Sequence, residues 1–599
     1  MSKKPVWIAA ITRGHNGGVC LLKDGEIVFA LEEERLSRQK YDGGPYATMI
    51  KIKEYTDKLD YLVVAHTQPL AQTAGRVDYS GDDVYTGLAR KLGLIDRKTN
   101  PINHPQVVDL SFMHHKLHAA CAFFRSGFED AVAVIVDGAG TFLPMNVNGE
   151  EIMTWETESI VDCGYPADFT TLFKHYGTRD AVQGTMQRMP SDGFGEVGMY
   201  HDAVISDRAG IVKVYEAVTE YCGWSSIEAG KTMGLFPYGK QNDDIPELFD
   251  STADYPTSNR NFIVPRYPNG AIVNQGLYSA AAEFPEDPST DITTLQTRRD
   301  LAYAVQTQTQ EQVLRLIRKA VEMTGKKKVV ISGGYGLNCV ANYWYLGQLK
   351  DEGIELFCEP VSNDAGTAIG AALMFWHGLE EDTTIRPGHS LYLGPAYCYS
   401  DEEILETAEK YGATVSDATN EDVVELISAR NIVTLYQGRS ESGPRALGNR
   451  SVLYDPTDPD GKDHVNTVKR REYFRPFAGS ILEEDVHEWF DLRGMDSTPH
   501  MMYAVNCQPG IEEKIPSIIH IDGTCRIQTV NREQNPHYYD LIKAFKDKTG
   551  VPIIFNTSFN LGGEPLVETI DDAVWTLQQS QIEYLFLPEY GKLITLKNT

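Results

Sequence analysis

The 599-residue sequence contains no CxxC pair. Its nine cysteines stand at positions 20, 121, 163, 222, 339, 358, 398, 507 and 525. An odd number at irregular spacing argues against a disulfide scaffold or a structural zinc knuckle. It predicts mostly small buried thiols in a reducing compartment. Long hydrophobic runs are also missing, so no transmembrane helix is expected. The opening MSKKPVWIAAITRGHNGG carries two lysines, but its apolar stretch reads as a first strand and no cleavage pattern follows. A secretory leader is therefore not expected, and a cytoplasmic location is. Positive charge is scarce: 55 Lys and Arg against 84 Asp and Glu leave a net −29. Bulk nucleic-acid binding needs a basic footprint and is not expected here, whereas local basic pockets for small anions remain open.

What is present is ordinary for a soluble folded chain, with 42% apolar and 23% charged residues. The length predicts two to four domains. Positions 6–31 read as strand, Gly-rich turn, strand, Lys-Asp-Gly turn, strand, and the same order recurs over 131–157 with an Asn-Gly turn. Two related α/β halves are expected from that recurrence. A long helical pattern covers 298–325 and ends at Gly325. The stretches VDGAG, SGGYGLN and SNDAGT place glycines or small residues where strands end. Gly138, Gly333, Gly334, Asn338 and Asn363 are therefore candidate nucleotide contacts, because free N–H groups point outward there. A poorly periodic stretch at 377–400 reads as a connector, and a second α/β region follows.

SFMHHKLHAACAFFRSG, 111–127, puts three histidines within five residues. On a helix, His114 and His118 share a face and could chelate one ion, while His115 is turned about 100° away. Spacing alone leaves a histidine-bearing helix face as the competing reading. Asp137 and Asp364 are candidate oxygen ligands, and two imidazoles with carboxylates suit iron, zinc or manganese. Asp137 could instead serve a phosphate-associated magnesium or cap the following turn. His15, at the tip of the first hairpin, could act as a base or be an exposed turn residue. The run Glu32-Glu33-Glu34-Arg35 reads by default as a solvated helix start.

Near the C-terminus the charge balance reverses. Arg439, Arg445, Arg450, Lys469, Arg470, Arg471 and Arg475 fall within 37 positions. Guanidinium forks match phosphate and carboxylate oxygens, and the interleaved Gly and Pro favour bent loops, so an oxyanion pocket is expected. A salt-bridge network is the alternative. His520, Asp522, Thr524 and Arg526 alternate along an expected strand. Asn556, Ser558 and Asn560 alternate likewise and could hydrogen-bond a sugar, amide or base.

The stretches GHNGGVCLLKDGEIVFALEEERLSRQK, HHKLHAA, VDGAG, KTMGLFPYG, SGGYGLNC, SNDAGTAIG, GRSESGPRALGNRS, VKRREYFRPFA, HIDGTCRIQTV and NTSFNLGGEPLV run in order through most of the chain. In them the sequence resembles the NodU/CmcH group of O-carbamoyltransferases, which includes the nebramycin carbamoyltransferase. The resemblance implies an α/β chain with a Kae1-like domain of the two-lobed ASKHA (actin/Hsp70-like) fold at 1–380, a connector at 381–400, and a YrdC-like domain at 401–599. It implies that carbamoyl phosphate and ATP give carbamoyl adenylate and pyrophosphate in the second domain. The carbamoyl group then passes in the first domain to a hydroxyl of a small molecule.

Residue by residue, the resemblance implies His114, His118 and Asp364 as ligands of Fe(2+), with manganese and zinc as alternatives, and Asp137 near metal and phosphate. It implies His15 beside the acceptor or carbamoyl group, Gly334 to Asn338 as a nucleotide loop, and Arg439, Arg445, Lys469, Arg471 and Arg475 as anion contacts. Arg450, Asn556 and Ser558 join the expected nucleotide-binding set. Mg(2+) is the expected ion of the ATP-using step, and a homodimer is a family expectation. Two departures stand out: Asn16 replaces an acid after His15, and Tyr335-Gly336 replaces a smaller pair. A transfer-RNA threonylcarbamoyl-adenosine-type modifying enzyme and a non-enzymatic ASKHA nucleotide switch are the rival readings.

Overall fold

A computed structural model describes residues 4–68, 83–97, 104–182, 184–190, 199–259, 263–265, 271–273, 289–388 and 390–596. They form two compact units. The first takes residues 1–27, 44–341 and 348–389, the second 28–43, 342–347 and 390–599.

The first unit is built on two sheets. One has the order β3-β2-β1-β4-β5, from β1 (Trp7–Thr12), β2 (Gly18–Lys23), β3 (Glu26–Glu32), β4 (Tyr61–Ala65) and β5 (Val107–Asp109). Central β1 is antiparallel to β2 and parallel to β4, and its Ile8–Ile11 stretch is wholly buried. A strand covered on both faces reads as a continuous apolar run rather than an alternation.

The other sheet contains β6 (Asp130–Val136), β7 (Phe142–Val147), β8 (Glu150–Gly164), β9 (Asp168–Thr178), β10 (Met186–Pro190) and β11 (Tyr200–Ser206). A separate ribbon pairs β12 (Ile263–Pro265) with β13 (Ala271–Val273), and β14 (Lys328–Ser332) and β15 (Glu355–Cys358) complete the large sheet. Its path β9-β8-β6-β14-β15 repeats the order of the first sheet, again with the central strand antiparallel to one neighbour and parallel to the other.

The expected duplication is therefore present, but not through the turns that suggested it. In the first half the Gly-rich turn closes a hairpin between paired strands, Thr12 opposite Gly18. In the second half β6 and β7 do not pair. Both lie along the long β8, Val136 opposite Glu158 and Phe142 opposite Trp155, so residues 137–141 loop out of what is otherwise one interrupted strand.

The second unit carries a ten-stranded sheet, β16-β25-β24-β17-β18-β23-β19-β22-β21-β20. Its strands are β16 (Thr414–Asp417), β17 (Val433–Tyr436), β18 (Arg450–Tyr454), β19 (Ala478–Leu482), β20 (Phe490–Asp491), β21 (Ala504–Cys507), β22 (Thr524–Val530), β23 (Ile553–Ser558), β24 (Tyr584–Leu587) and β25 (Lys592–Thr595). Leu435, Leu453, Ile554 and Phe586 meet Val423 and Ile427 of the Asn420–Ser428 helix and Leu541 and Phe545 of the Pro536–Thr549 helix in one core.

Two expectations fail here. The run Glu32–Arg35 is buried in the second unit rather than solvated. Arg35 pairs with Glu32 at 3.1 Å and donates to the Gly443 carbonyl, and Arg38 donates to the carbonyls of Pro565 and Leu566. Opposite charges supplied by one another, plus backbone acceptors, offset a burial that charge alone forbids. The later part of the connector, from Ser390, is also an integral part of this unit: Tyr392 donates to the Leu447 carbonyl, and the Tyr399 N–H donates to the Tyr590 hydroxyl. Its aromatic residues pack without helical or strand periodicity. All nine cysteines are unpaired and seven are buried. Among the described residues no helix is long and apolar enough to cross a membrane.

Candidate active site and metal centre

His114 opens the helix His114–Ser126, and His118 lies one turn along it. Asp137 follows β6, and Asp364 immediately precedes the helix Ala365–Glu380. The two helices approach closely because residue 370 is glycine; a Cβ there would lie 1.9 Å from the Leu117 carbonyl oxygen. One ligand atom from each of His114, His118, Asp137 and Asp364 lies within 4.8 Å of all the others. The His114 Nε2 is 3.2 Å from His118 Nε2, 3.5 Å from Asp364 Oδ1 and 3.7 Å from Asp137 Oδ2. His118 Nε2 is 3.7 Å from Asp364 Oδ1. A tetrahedral ion with bonds of about 2.1 Å holds its ligands roughly 3.4 Å apart, so the donor set fits a divalent metal. Two facing imidazole nitrogens and two carboxylates offer a seat suited to a cation. Burial by itself disfavours the His114 imidazolium, but Asp137 and Asp364 outweigh it and raise the pKa to about 10. Asp364 is held well below the carboxylate range: its histidine hydrogen bonds overcome the opposing effect of burial.

His15, half-exposed at the β1–β2 tip, lies 3.8 Å from Asp364 through Nδ1. His66, at the end of β4, faces the same group and was not signalled by any motif. Its Nδ1 is 2.9 Å from the Arg13 carbonyl, and burial lowers its pKa to about 4. His115 takes no place in the cluster; its Nδ1 is 2.8 Å from the Ser159 hydroxyl.

The glycine turns meet the cluster through Asp137, whose Oδ1 accepts from the Gly334 N–H at 3.0 Å. Gly333 has φ +85°, and a Cβ there would lie 2.4 Å from the Val136 carbonyl oxygen. A Cβ on Gly138 would meet Glu216 and approach the Lys213 ammonium, two residues that no motif singled out. Asn338 differs from expectation: its amide is committed to Gln306 and caps the next helix by accepting from the Ala341 N–H. Tyr335 likewise turns inward, its hydroxyl 2.8 Å from that of Thr309. Asn363 Oδ1 is buried with no hydrogen-bond partner among the described residues.

In the second unit, Lys469 is buried and its ammonium donates to Ser558, and to Asn560 at 2.9 and 3.2 Å. Burial, then Arg471 and Arg475, hold its pKa well below the usual lysine value. Arg471 is depressed too, by burial and by Arg475, Arg526 and Arg445 in that order. Positive charge from Lys469, Arg445, Arg471, Arg475 and Arg526 is thus gathered in one place, a candidate anion pocket. Arg526 belongs to it, although only its strand position had drawn notice. Residues 520–523 form a turn before β22, so His520 and Asp522 do not share the Arg526 strand face.

Arg439 and Arg450 do not join the pocket through their guanidinium groups. Arg439 donates to the Gly394, Leu393 and Val28 carbonyls. Arg450, fully buried, donates to the Gln437, Gly438, Asn449 and Glu568 carbonyls and stacks 3.7 Å from the Tyr436 ring. Asn556 is also wholly buried, donating to Ser480 at 2.9 Å and to the Ala446 carbonyl. Guanidiniums that satisfy loop carbonyls look the same in sequence as guanidiniums that await a phosphate.

Residues 82–373 match the family model described as carbamoyltransferase N-terminus, and 424–592 match carbamoyltransferase C-terminus. The nodulation protein NolNO of Sinorhizobium fredii is 30% identical over 96% of this chain and 78% of its own. The chain belongs to the carbamoyltransferase family. It is an O-carbamoyltransferase of the NodU/CmcH type, an enzyme using ATP and carbamoyl phosphate. An uncharacterized protein of Synechocystis is 30% identical to this carbamoyltransferase over 96% of the chain and 94% of its own. The nodulation protein NolO of Bradyrhizobium diazoefficiens is 30% identical over 79% and 77%. Full-length HypF in its phosphate- and nucleotide-bound form is similar over 63% of this chain and 57% of its own, at 13% identity and a TM-score of 0.34, which is too low to bear on the fold.

Proposed function

We propose that the carbamoyltransferase divides its reaction between the two clusters. In the second unit, water bonds to the phosphorus of carbamoyl phosphate as its bond to the carbamate oxygen breaks, so phosphate leaves; the freed carbamate oxygen then bonds to the α-phosphorus of ATP, and pyrophosphate leaves. Lys469, Arg445, Arg471, Arg475 and Arg526 hold the phosphate oxygens, and Mg(2+) accompanies ATP. In the first unit a hydroxyl of a small acceptor bonds to the carbonyl carbon of carbamoyl adenylate, and AMP leaves. His114, His118, Asp137 and Asp364 would hold a divalent metal there. Iron is the ion implied by family resemblance, and manganese and zinc take the same donors. When bound, the metal supplies Lewis-acid charge for a carbonyl or phosphate oxygen. The backbone around Gly138 and Gly333 orients the adenylate phosphate, while the Gly334 N–H holds Asp137. His15 Nδ1 or Nε2 takes or orients the acceptor proton.

The repeated strand order supports reading the first unit as a Kae1-like ASKHA module. The second is read as the YrdC-like module, with residues 28–43, 342–347 and 390–400 belonging to it. The convergence of four potential metal donors from three separate segments carries the reading. The test is metal content and half-reaction partition in Asp364→Asn. Metal and carbamoyl transfer should be lost, while carbamoyl-phosphate-dependent pyrophosphate release persists. Retention of metal with full transfer would refute it.

A further inference from the structure

Strand β8 carries two buried glutamates, Glu156 and Glu158, that the reaction does not use. In a regular strand, residues two apart share a face. Here Glu156 lies opposite Tyr176 and Glu158 opposite His175, so Thr157 is an extra residue, a β-bulge. Adjacent residues of β9 point to opposite faces, and the bulge therefore sends the two glutamates to opposite faces. Each meets the start of a different helix. Glu158 accepts from the N–H of Ile211, the first residue of the helix Ile211–Tyr221, at 2.7 Å. Glu156 Oε2 accepts from the Thr141 N–H at 2.9 Å and the His115 N–H at 3.4 Å, while the buried Lys174 ammonium donates to Oε1.

These bonds converge on one metal ligand. His118 has a partner for its other ring nitrogen, the Ser332 hydroxyl at 3.4 Å from Nδ1. His114 has none among the described residues: its Nδ1 is buried and unpartnered. Its ring orientation therefore depends on its backbone. The His114 N–H donates to the Thr141 hydroxyl at 3.0 Å, and that hydroxyl donates to the Ser111 carbonyl. Thr141 is tied to Glu156 three ways: by its N–H on the carboxylate, by its carbonyl accepting from the Glu156 N–H, and by the neighbouring Gly140 N–H on the Glu156 carbonyl. Gly140 permits the approach, since a Cβ there would lie 2.6 Å from the His115 ring and 2.7 Å from the Glu156 carboxylate. The same turn, 137–141, begins with Asp137.

We propose that Glu156, held by Lys174, is a positioning residue of the metal centre, fixing His114 and the Asp137 turn through Thr141 in place of the ring hydrogen bond that His114 lacks. This rests on the metal reading above. Partners of this kind are worth about 10–100-fold in metal affinity.

The test uses the full-length protein, stripped of metal and titrated with Co(2+), with affinity from calorimetry and geometry from the d–d absorption. E156Q should bind roughly 10–100-fold more weakly than the parent, with an altered absorption envelope. E158Q removes an equally buried carboxylate from the other face and should bind as the parent does. T141V keeps the Glu156–Lys174 pair and deletes only the relay hydroxyl. It should weaken binding in the same direction, so a folding defect in E156Q does not shelter the proposal. Parent-like affinity in both E156Q and T141V, or equal weakening in E158Q, would overturn it. A parent that binds no Co(2+) would instead overturn the metal reading itself.

Discussion

Replacing Gly370 with alanine tests whether helix contact sets the metal geometry. An interior Gly→Ala change on an unconstrained helix stabilises by about 1 kcal/mol. At this position the new Cβ would stand 1.9 Å from the Leu117 carbonyl oxygen and 2.9 Å from the Cys121 nitrogen. Both atoms belong to the backbone of the helix that carries His114 and His118, so no side chain can rotate away. Ordinary contact needs roughly 3.5 Å, so the two helices must part by about 1.5 Å. Overpacking of this kind costs about 1–3 kcal/mol, which cancels or exceeds the propensity gain. The separation also moves Asp364, at the head of one helix, from His114 and His118 on the other, where the present spacings are 3.5 and 3.7 Å. G370A should lower the first melting transition by up to about 4 °C and reduce metal affinity. Differential scanning calorimetry and metal titration measure both. A G370A protein at least as stable as the parent, with parental metal affinity, would refute the reasoning.

R475A should slow carbamoyl-phosphate-dependent pyrophosphate release about 10–100-fold, the worth of one charged hydrogen bond, and leave metal content unchanged by elemental analysis. R450M should act on folding instead: it strands the carbonyls of Gln437, Gly438, Asn449 and Glu568 and leaves Glu568 with Arg35 as its remaining arginine, at a cost of about 3 kcal/mol, visible as unfolding of the second unit in denaturant. Lys469 has a folded pKa below its unfolded value, so the unfolded chain binds more protons between the two. Its contribution therefore raises stability as pH climbs from the folded pKa towards about 10.5, and is lost as pH falls through the folded value. Denaturant titrations should show that rise, and inorganic phosphate should flatten it by occupying the pocket.

The clustering of His114, His118, Asp137 and Asp364 was legible in the sequence because each sits in a short local pattern: HxxxH on a helix, an acid after a strand, an acid before a Gly-rich helix. Local patterns also exposed the duplicated strand order. What they could not carry was pairing and partner identity. The turns at 13–17 and 137–141 look alike in composition, yet one closes a hairpin and the other interrupts a strand laid along β8. Arg450 and Arg471 are both arginines in loop-rich, Gly-containing stretches. Only the fold shows that one fills its guanidinium with carbonyls while the other faces further cations. The charge run at 32–35 became a buried cluster because a distant partner, the Gly443 carbonyl that Arg35 meets 408 residues away, lies beyond any local reading. Glu156 offered one faint signal, a WETES stretch in a strand whose neighbours are apolar, since a buried strand acid breaks its own pattern and needs a partner.

The central claim is that metal and anion clusters serve separate half-reactions. His114→Ala in the full-length enzyme tests it most directly, with metal content, pyrophosphate release and acceptor carbamoylation measured on the same preparation. The account predicts loss of metal and of carbamoylation, with carbamoyl-phosphate-dependent pyrophosphate release retained. Undiminished carbamoylation by a His114→Ala protein that still holds its metal would contradict it.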